Sequence, residues 1–207
     1  MYTPTYAYLC TGSQETTATS LVWSVFVMAA HPEIQRRVQK EISDVVGPRE
    51  IRWEDRTELP FTKAVMNEIQ RFAAIVPVTG TNVLEPVEWR GWHLPVGTQI
   101  GFVEFAVHRD AAAWKDPHHL NPDANFPQND PKALERAEAN MVEFGFGRRI
   151  CLGESLARQE LLLFFGGLLQ NFDIVTNPNN PLPQEELSRP GILRSPLPFE
   201  LCFKKRL

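Results

Sequence analysis

Residues 144–153 read Phe-Gly-Phe-Gly-Arg-Arg-Ile-Cys-Leu-Gly, and no other stretch constrains the chain as tightly. Gly145, Gly147 and Gly153 interrupt any regular element and let backbone approach a flat ligand closely. Cys151 stands two residues after Arg149, and an apolar helical run opens directly behind it. Arg148, Arg149 and the partial positive charge of a helix N-terminus therefore lie beside the sulfur. Positive charge there favours thiolate over thiol, and a thiolate presented on a glycine loop suits a metal ligated from one side. A cysteine can also be a small buried hydrophobe. It can be a nucleophile with a histidine base, for which His93, His108, His118 and His119 are available. Structural zinc fits poorly, because Cys10, Cys151 and Cys202 lie far apart without paired-ligand spacing.

The loop sits in a chain that alternates helical and strand-like patterns. Residues 5–30 read as one helix and 32–46 as a second, with Pro32 in its first turn and Gly47-Pro48 ending it. The second carries Ile34, Val38, Ile42 and Val45 at helical spacing, with Arg36, Arg37, Lys40 and Glu41 outside. Residues 60–73 form a third helix, which Pro77 and Gly80 bring to a stop. Three short strands follow between 78 and 103, at Thr81–Leu84, Glu88–Leu94 and Thr98–Val103. Residues 115–143 read as a long irregular loop. Residues 152–170 form the most apolar helix, expected in the core on most of its sides. The proline-rich tail, 171–207, ends in a strand-like Phe199–Phe203. The fold class expected is mainly α with a small β region.

Two polar features stand out against these patterns. On the third helix Phe61, Ala64, Val65, Ile69 and Phe72 share one face, and Glu68 falls in its middle. A carboxylate there is costly to bury unless paired and hydrogen-bonded, and Arg71, three residues on, is within reach. On the first helix Gly12-Ser-Gln-Glu-Thr-Thr17 places the Thr16 hydroxyl where it can bond back to the Gly12 carbonyl and open the helix ladder locally.

Together these stretches resemble the cytochrome P450 family. The pattern F-x-x-G-x-R-x-C-x-G of that family's haem-binding loop is met at every specified position, from Phe144 to Gly153. Glu68-x-x-Arg71 is similar to the E-x-x-R of its K helix, and Gly12–Thr17 to the oxygen-activation motif of its I helix, with Ser13 where glycine is usual. His108–Trp114 resembles the stretch after its K′ helix. The likeness is strongest to the animal microsomal, drug-metabolising branch, and runs from about residue 7 to the C-terminus as the later half of a family member.

The resemblance implies a haem-thiolate monooxygenase that inserts one atom of O2 into an apolar small molecule. Cys151 would bind the iron of haem b, in a cradle formed by Phe144, Gly145, Gly147 and Gly153. Arg149 would pair a haem propionate. Thr16 and Glu15 would serve oxygen activation and proton relay. Thr11, Ile75, Val76, Val78 and Ile192 would face substrate. The Glu68–Arg71 brace normally takes a third arginine from the meander. Residues 120–126 supply none, leaving His119, Asn121 or Asn125 as donors. The implied partner is an NADPH-dependent flavoprotein reductase, met by Arg36, Arg37, Lys40 and Arg148, at the cytosolic face of the endoplasmic reticulum membrane. An inactive fragment, or an interaction partner keeping part of the fold, is the alternative.

Composition excludes several other classes. A formal charge of −4 gives nucleic acid no basic surface to bind. An apolar fraction of 43% is that of a globular protein. The 207 residues are one domain's worth, and the three unpatterned cysteines suggest no disulfide framework. The most apolar run, residues 21–30, is about half the length of a membrane span. The N-terminal residues lack the charged and apolar regions of a secretory signal.

Overall fold

The computed structural model describes residues 4–185, 187–189 and 191–206, with the side chains of the first helix described from residue 12 on. Helix α1 spans Pro4–Ala30. Its apolar second half buries Trp23, Phe26, Val27 and Met28. Three hydroxyls of the helix bond a carbonyl one turn back: Thr16 to Gly12 at 2.7 Å, Ser20 to Thr16 at 3.0 Å and Ser24 to Ser20 at 2.8 Å. The chain leaves the helix at His31, because the residue before a proline is driven out of helical geometry. Pro32 then opens α2 (Pro32–Val45).

Helix α2 buries Ile34, Val38 and Ile42, as its periodicity predicts, and also Gln35 and Gln39. Gln35 donates to the carbonyls of Met28 and Ile174, both at 2.8 Å, and accepts the Ile174 N–H at 2.8 Å. One amide thus ties α1 and α2 to β5 (Phe172–Thr176) in a fully satisfied polar contact. Helix α3 (Pro60–Ala73) packs on this pair. No side chain of its own caps its start. Instead Glu41 of α2 accepts the N–H groups of Phe61 and Thr62 at 2.9 and 2.7 Å, and the Thr62 hydroxyl at 2.6 Å. Glu41, expected on the solvent side, is therefore a cap delivered by a neighbouring helix. Pro60 has no N–H to satisfy, and the orphan donors of Phe61 and Thr62 find partners this way.

Beyond α3 come β1 (Thr79–Asn82), β2 (Val87–Trp89), β3 (Trp92–Leu94) and β4 (Gln99–Phe102). The run Glu88–Leu94, read above as one strand, is a hairpin. Arg90 and Gly91 both take positive φ, 48° and 82°, and turn the chain back on itself. Alternation of side chains continues across such a turn, so pattern alone does not reveal it. Strands β1 and β4, β2 and β3, and β5 and β8 (Leu201–Lys205) pair antiparallel. So do β6 (Ser188–Arg189) and β7 (Ser195–Pro196).

The segment 115–143 is not wholly irregular. After α4 (Glu104–Val107) it holds α5 (Pro122–Asn125) and α6 (Pro131–Ala139), each opened by a proline and capped by Asn121 and Asp130. Asn121-Pro122 and Asp130-Pro131 are cap-and-proline starts in the sequence, but the short segments behind them lack the apolar period that marks a helix. Helix α7 (Glu154–Asn171) follows the cysteine loop. It buries Leu161, Leu162, Phe165 and Leu169 against α1 and α2, but leaves Leu156, Leu163 and Phe164 exposed, so it is not a core helix on most sides. At Gly166 the Ile51 side chain comes so close that an added Cβ would lie 2.5 Å from its Cδ1.

Glu41→Ala removes the borrowed cap and is expected to destabilise the fold by about 1–3 kcal/mol, with Glu41→Gln retaining part of the loss. Thermal or urea unfolding checks this, and a midpoint equal to the parent's in the alanine variant would refute it.

Candidate functional site

The cysteine loop is shaped by its own backbone. The Gly145 N–H donates to the Val142 carbonyl at 2.8 Å, and the Cys151 N–H donates to the Phe144 carbonyl at 2.8 Å. Between these bonds Gly145 and Gly147 take φ of 74° and 67°, values an L side chain resists. A 3-10 turn, Gly147–Arg149, carries the chain up to Cys151. The thiol is exposed. Around it Phe146, Ile150 and Leu152 are exposed apolar groups, Leu152 at 88%, and Arg148 and Arg149 are exposed cations. The loop therefore presents one sulfur ringed by apolar surface and positive charge.

Three elements hold the stem of this loop. Phe146 meets Phe102 of β4 edge to face at 5.0 Å. From α7, Arg158 donates to Glu154 at 2.9 Å and to Glu143 at 3.3 Å, with its guanidinium 4.7 Å from the Phe144 ring centroid. Burial pushes the Glu143 carboxyl above its ordinary pKa, with Arg158 opposing. Behind the stem the Val142 N–H donates to His108 Nε2 at 3.3 Å.

Glu68 and Arg71 are both 0% exposed and bonded bidentately, Nε to Oε2 at 2.7 Å and Nη2 to Oε1 at 2.8 Å. The remaining arginine hydrogens reach carbonyls of His108 (2.6 Å), Pro117 (2.8 Å) and His119 (2.9 Å). On the carboxylate, Oε1 also accepts the Asn121 N–H at 2.7 Å and Asn125 Nδ2 at 2.9 Å. Of the three donors considered for the missing arginine, Asn125 supplies a side chain and Asn121 a backbone N–H. The His119 ring turns away to Asp116.

On α1, Thr16 Oγ1 donates to the Gly12 carbonyl as its spacing predicts, and Glu15 is exposed. The Thr11 side chain lies outside the described residues. The Arg194 N–H donates to the Ile75 carbonyl at 2.7 Å, bringing the segment that carries Ile192 alongside residues 75–78. Val78 and Ile192 are exposed there, Ile192 at 91%. Of the basic residues proposed to dock a partner, Arg37 is held bidentately by Asp123, at 2.6 and 2.8 Å, and Lys40 pairs with Asp44. Arg36 and Arg148 are exposed.

Glu104 and Glu143 escaped the sequence reading, and His108 entered it only as a histidine available to a thiol and as the start of the stretch to Trp114, since nothing in their spacing marks them as buried. Burial, Arg71 and Arg109 together hold His108 at a pKa of about 4, so its ring is neutral at physiological pH. Burial pushes Glu104 up to about 7, eased by a Thr79 hydrogen bond and reinforced by the Glu143 charge. Among the described residues no three metal-binding side chains gather. Of the histidines available as a base for a thiol nucleophile, His93 pairs with Glu88, His108 accepts the Val142 N–H and His119 pairs with Asp116.

The family model described as Cytochrome P450 matches residues 4–203. The chain is 39% identical to human Cytochrome P450 2D6 over 209 residues, covering 97% of this chain and 40% of that protein. It is 37% identical to mouse Cytochrome P450 2J5, covering 95% and 38%. A zebrafish cytochrome P450 solved with abiraterone superposes with a TM-score of 0.83 at 31% identity, covering 93% of this chain and 44% of that one. A second zebrafish structure, with progesterone, gives 0.83 at 30%. The chain spans about two fifths of the length of these curated relatives.

Glu68→Ala strands a buried guanidinium and is expected to cost about 3–5 kcal/mol in unfolding free energy, checked by denaturant titration; parental stability would contradict the pairing. A second expectation concerns pH. The Glu104 carboxyl binds its proton more tightly folded, at about 7, than in the unfolded chain, near 4.5. Stability contributed by this group is therefore greatest below the ordinary value and falls as pH rises through 7. Glu104→Gln should reduce the fall between pH 4.5 and 7, with Glu143 keeping a part of it. Unfolding midpoints across that range measure this, and an unchanged slope would count against it.

Proposed function

Because the chain belongs to the cytochrome P450 family, we propose that it provides the haem-binding part of a haem-thiolate monooxygenase, with Cys151 as the iron ligand. The observation that carries this is the exposed Cys151 thiol on a loop whose stem is fixed from three sides. The residues present fit haem. Cys151 is exposed, and a Cβ at position 153 would lie 4.0 Å from its sulfur. Phe146, Ile150 and Leu152 give a flat macrocycle apolar surface to cover. An exposed guanidinium at Arg149 suits a haem carboxylate.

When bound, the haem supplies the redox chemistry that places one atom of O2 in an organic substrate, using electrons from a reductase. The chain's own residues hold and orient. Cys151 anchors through sulfur, and Phe144 fixes the height of that sulfur by accepting the Cys151 N–H. Thr16 keeps its proton on the Gly12 carbonyl, which leaves the hydroxyl oxygen to accept a proton donor such as water. Glu15, exposed next to it, can pass a proton from solvent. Ile75, Val76, Val78 and Ile192 offer apolar side chains that favour an apolar substrate. The electron donor we propose is an NADPH-dependent flavoprotein reductase, approaching Arg36 and Arg148 in preference to the paired Arg37 and Lys40. We place the protein at the endoplasmic reticulum membrane by family likeness; among the described residues no helix is long and apolar enough to cross a membrane.

A second reading is a chain without activity of its own that docks on a fuller relative. The apolar groups left exposed at Leu152, Leu156 and Phe164 favour it. Reconstitution with haem separates the two. The parent should bind haem and, once reduced, give a carbon monoxide complex with a thiolate-type Soret band, which Cys151→Ala should lose. Substrate-dependent NADPH use with added reductase then distinguishes an enzyme from a docking partner. Haem uptake identical in the parent and Cys151→Ala would sink the ligand assignment.

A further inference from the structure

One buried side chain connects the ion pair to the cysteine. His108 caps the C-terminal end of α4 and is fully buried. Its carbonyl accepts Arg71 Nη1 at 2.6 Å, and its ring Nε2 accepts the Val142 N–H at 3.3 Å. From Val142 the contact passes through backbone alone: the Val142 carbonyl accepts Gly145, and the Phe144 carbonyl accepts Cys151, both at 2.8 Å. Trp114 flanks the ring edge to face at 6.3 Å.

We propose that His108 is a positioning residue for the cysteine loop, transmitting the placement of the Glu68–Arg71 pair to the stem at 142–145. This deepens the assignment of Cys151 as haem ligand and rests on that reading. The chemistry of the ring supports it. Accepting a backbone N–H at Nε2 requires a lone pair there, so the neutral ring carries its proton on Nδ1. Burial and the neighbouring Arg71 and Arg109 keep it neutral, and so able to accept, across the physiological range. Nδ1 meets no protein partner among the described residues. An apolar side chain would fill the same space without burying that polar atom. What the imidazole adds over leucine is the acceptor for Val142.

The test is hydrogen exchange on the whole chain, read over residues 140–153 and, as internal control, over 23–29. His108→Leu should speed exchange across 140–153 by at least about tenfold and leave the control unchanged. His108→Gln, whose amide oxygen can take the Val142 N–H, should restore most of the protection. Parental protection in His108→Leu overturns the proposal. So does an equal acceleration of both segments in the two variants, which would mark a purely structural core residue. Should His108→Leu fail to fold, nitrogen-15 shifts of the parent imidazole decide: a proton on Nδ1 supports the role and a proton on Nε2 overturns it. With haem added, the thiolate-type share of the carbon monoxide complex should fall in His108→Leu and recover in His108→Gln; a share equal to the parent's in His108→Leu overturns the proposal. A parent without that band, while the exchange result holds, sinks the haem reading and leaves His108 as the organiser of the loop.

Discussion

The buried bond between Glu68 and Arg71 is the constraint on which the site-bearing half of the molecule depends. Two ionised groups without solvent are tolerable only when nearly every hydrogen and lone pair is used. Here the guanidinium is shared between one carboxylate and carbonyls of His108, Pro117 and His119. The carboxylate takes further N–H groups from Asn121 and Asn125. Every one of those partners lies in the stretch 108–125, which has few long regular elements of its own. The ion pair is therefore the template for that stretch. The stretch holds the cysteine loop in turn through His108.

Helix α3, which carries the pair, is completed at both ends by other elements. Glu41 of α2 brings negative charge to its N-terminal N–H groups. At its C-terminal end Arg109 and Arg194 donate to the Phe72 carbonyl, and Arg194 also to that of Ala73. Both signs match the helix dipole. Burial lowers both arginines to about 10, with Arg194 and Arg71 adding to the effect on Arg109, and they remain cationic at neutral pH. The helix is thus fixed along its axis by charge and across it by apolar packing. That leaves little freedom for the loop bonded to it.

The same arrangement explains where sequence reasoning stopped. The centrality of Glu68 on an apolar face, the back-bond of Thr16 and the glycines around Cys151 are local properties, and the structure repeats them. Asn125 could be named only as one of three donors, because a missing cation can be replaced by any nearby N–H. Glu41 reads as a solvent-side residue because it is charged and lies outside the apolar stripe of its helix, and its partners lie about twenty residues on. Arg37 and Lys40 are plainly basic in the sequence, but that Asp123 and Asp44 pair with them is visible only in the fold. The hairpin at Arg90-Gly91 and the helices at 122–125 and 131–139 were hidden by weak or continuous patterns.

By itself the chain of residues determined the long helices, the cysteine presented on a glycine loop, and the need for a buried carboxylate to find a cation one turn away. These follow from backbone periodicity and side-chain chemistry over a few residues. The tertiary structure alone decided which carbonyls receive Arg71, which helix caps α3, and that His108 stands between the ion pair and the loop. Those contacts join residues from about 20 to 120 positions apart. Burial, which makes each of them matter energetically, is created only when the elements pack and water leaves.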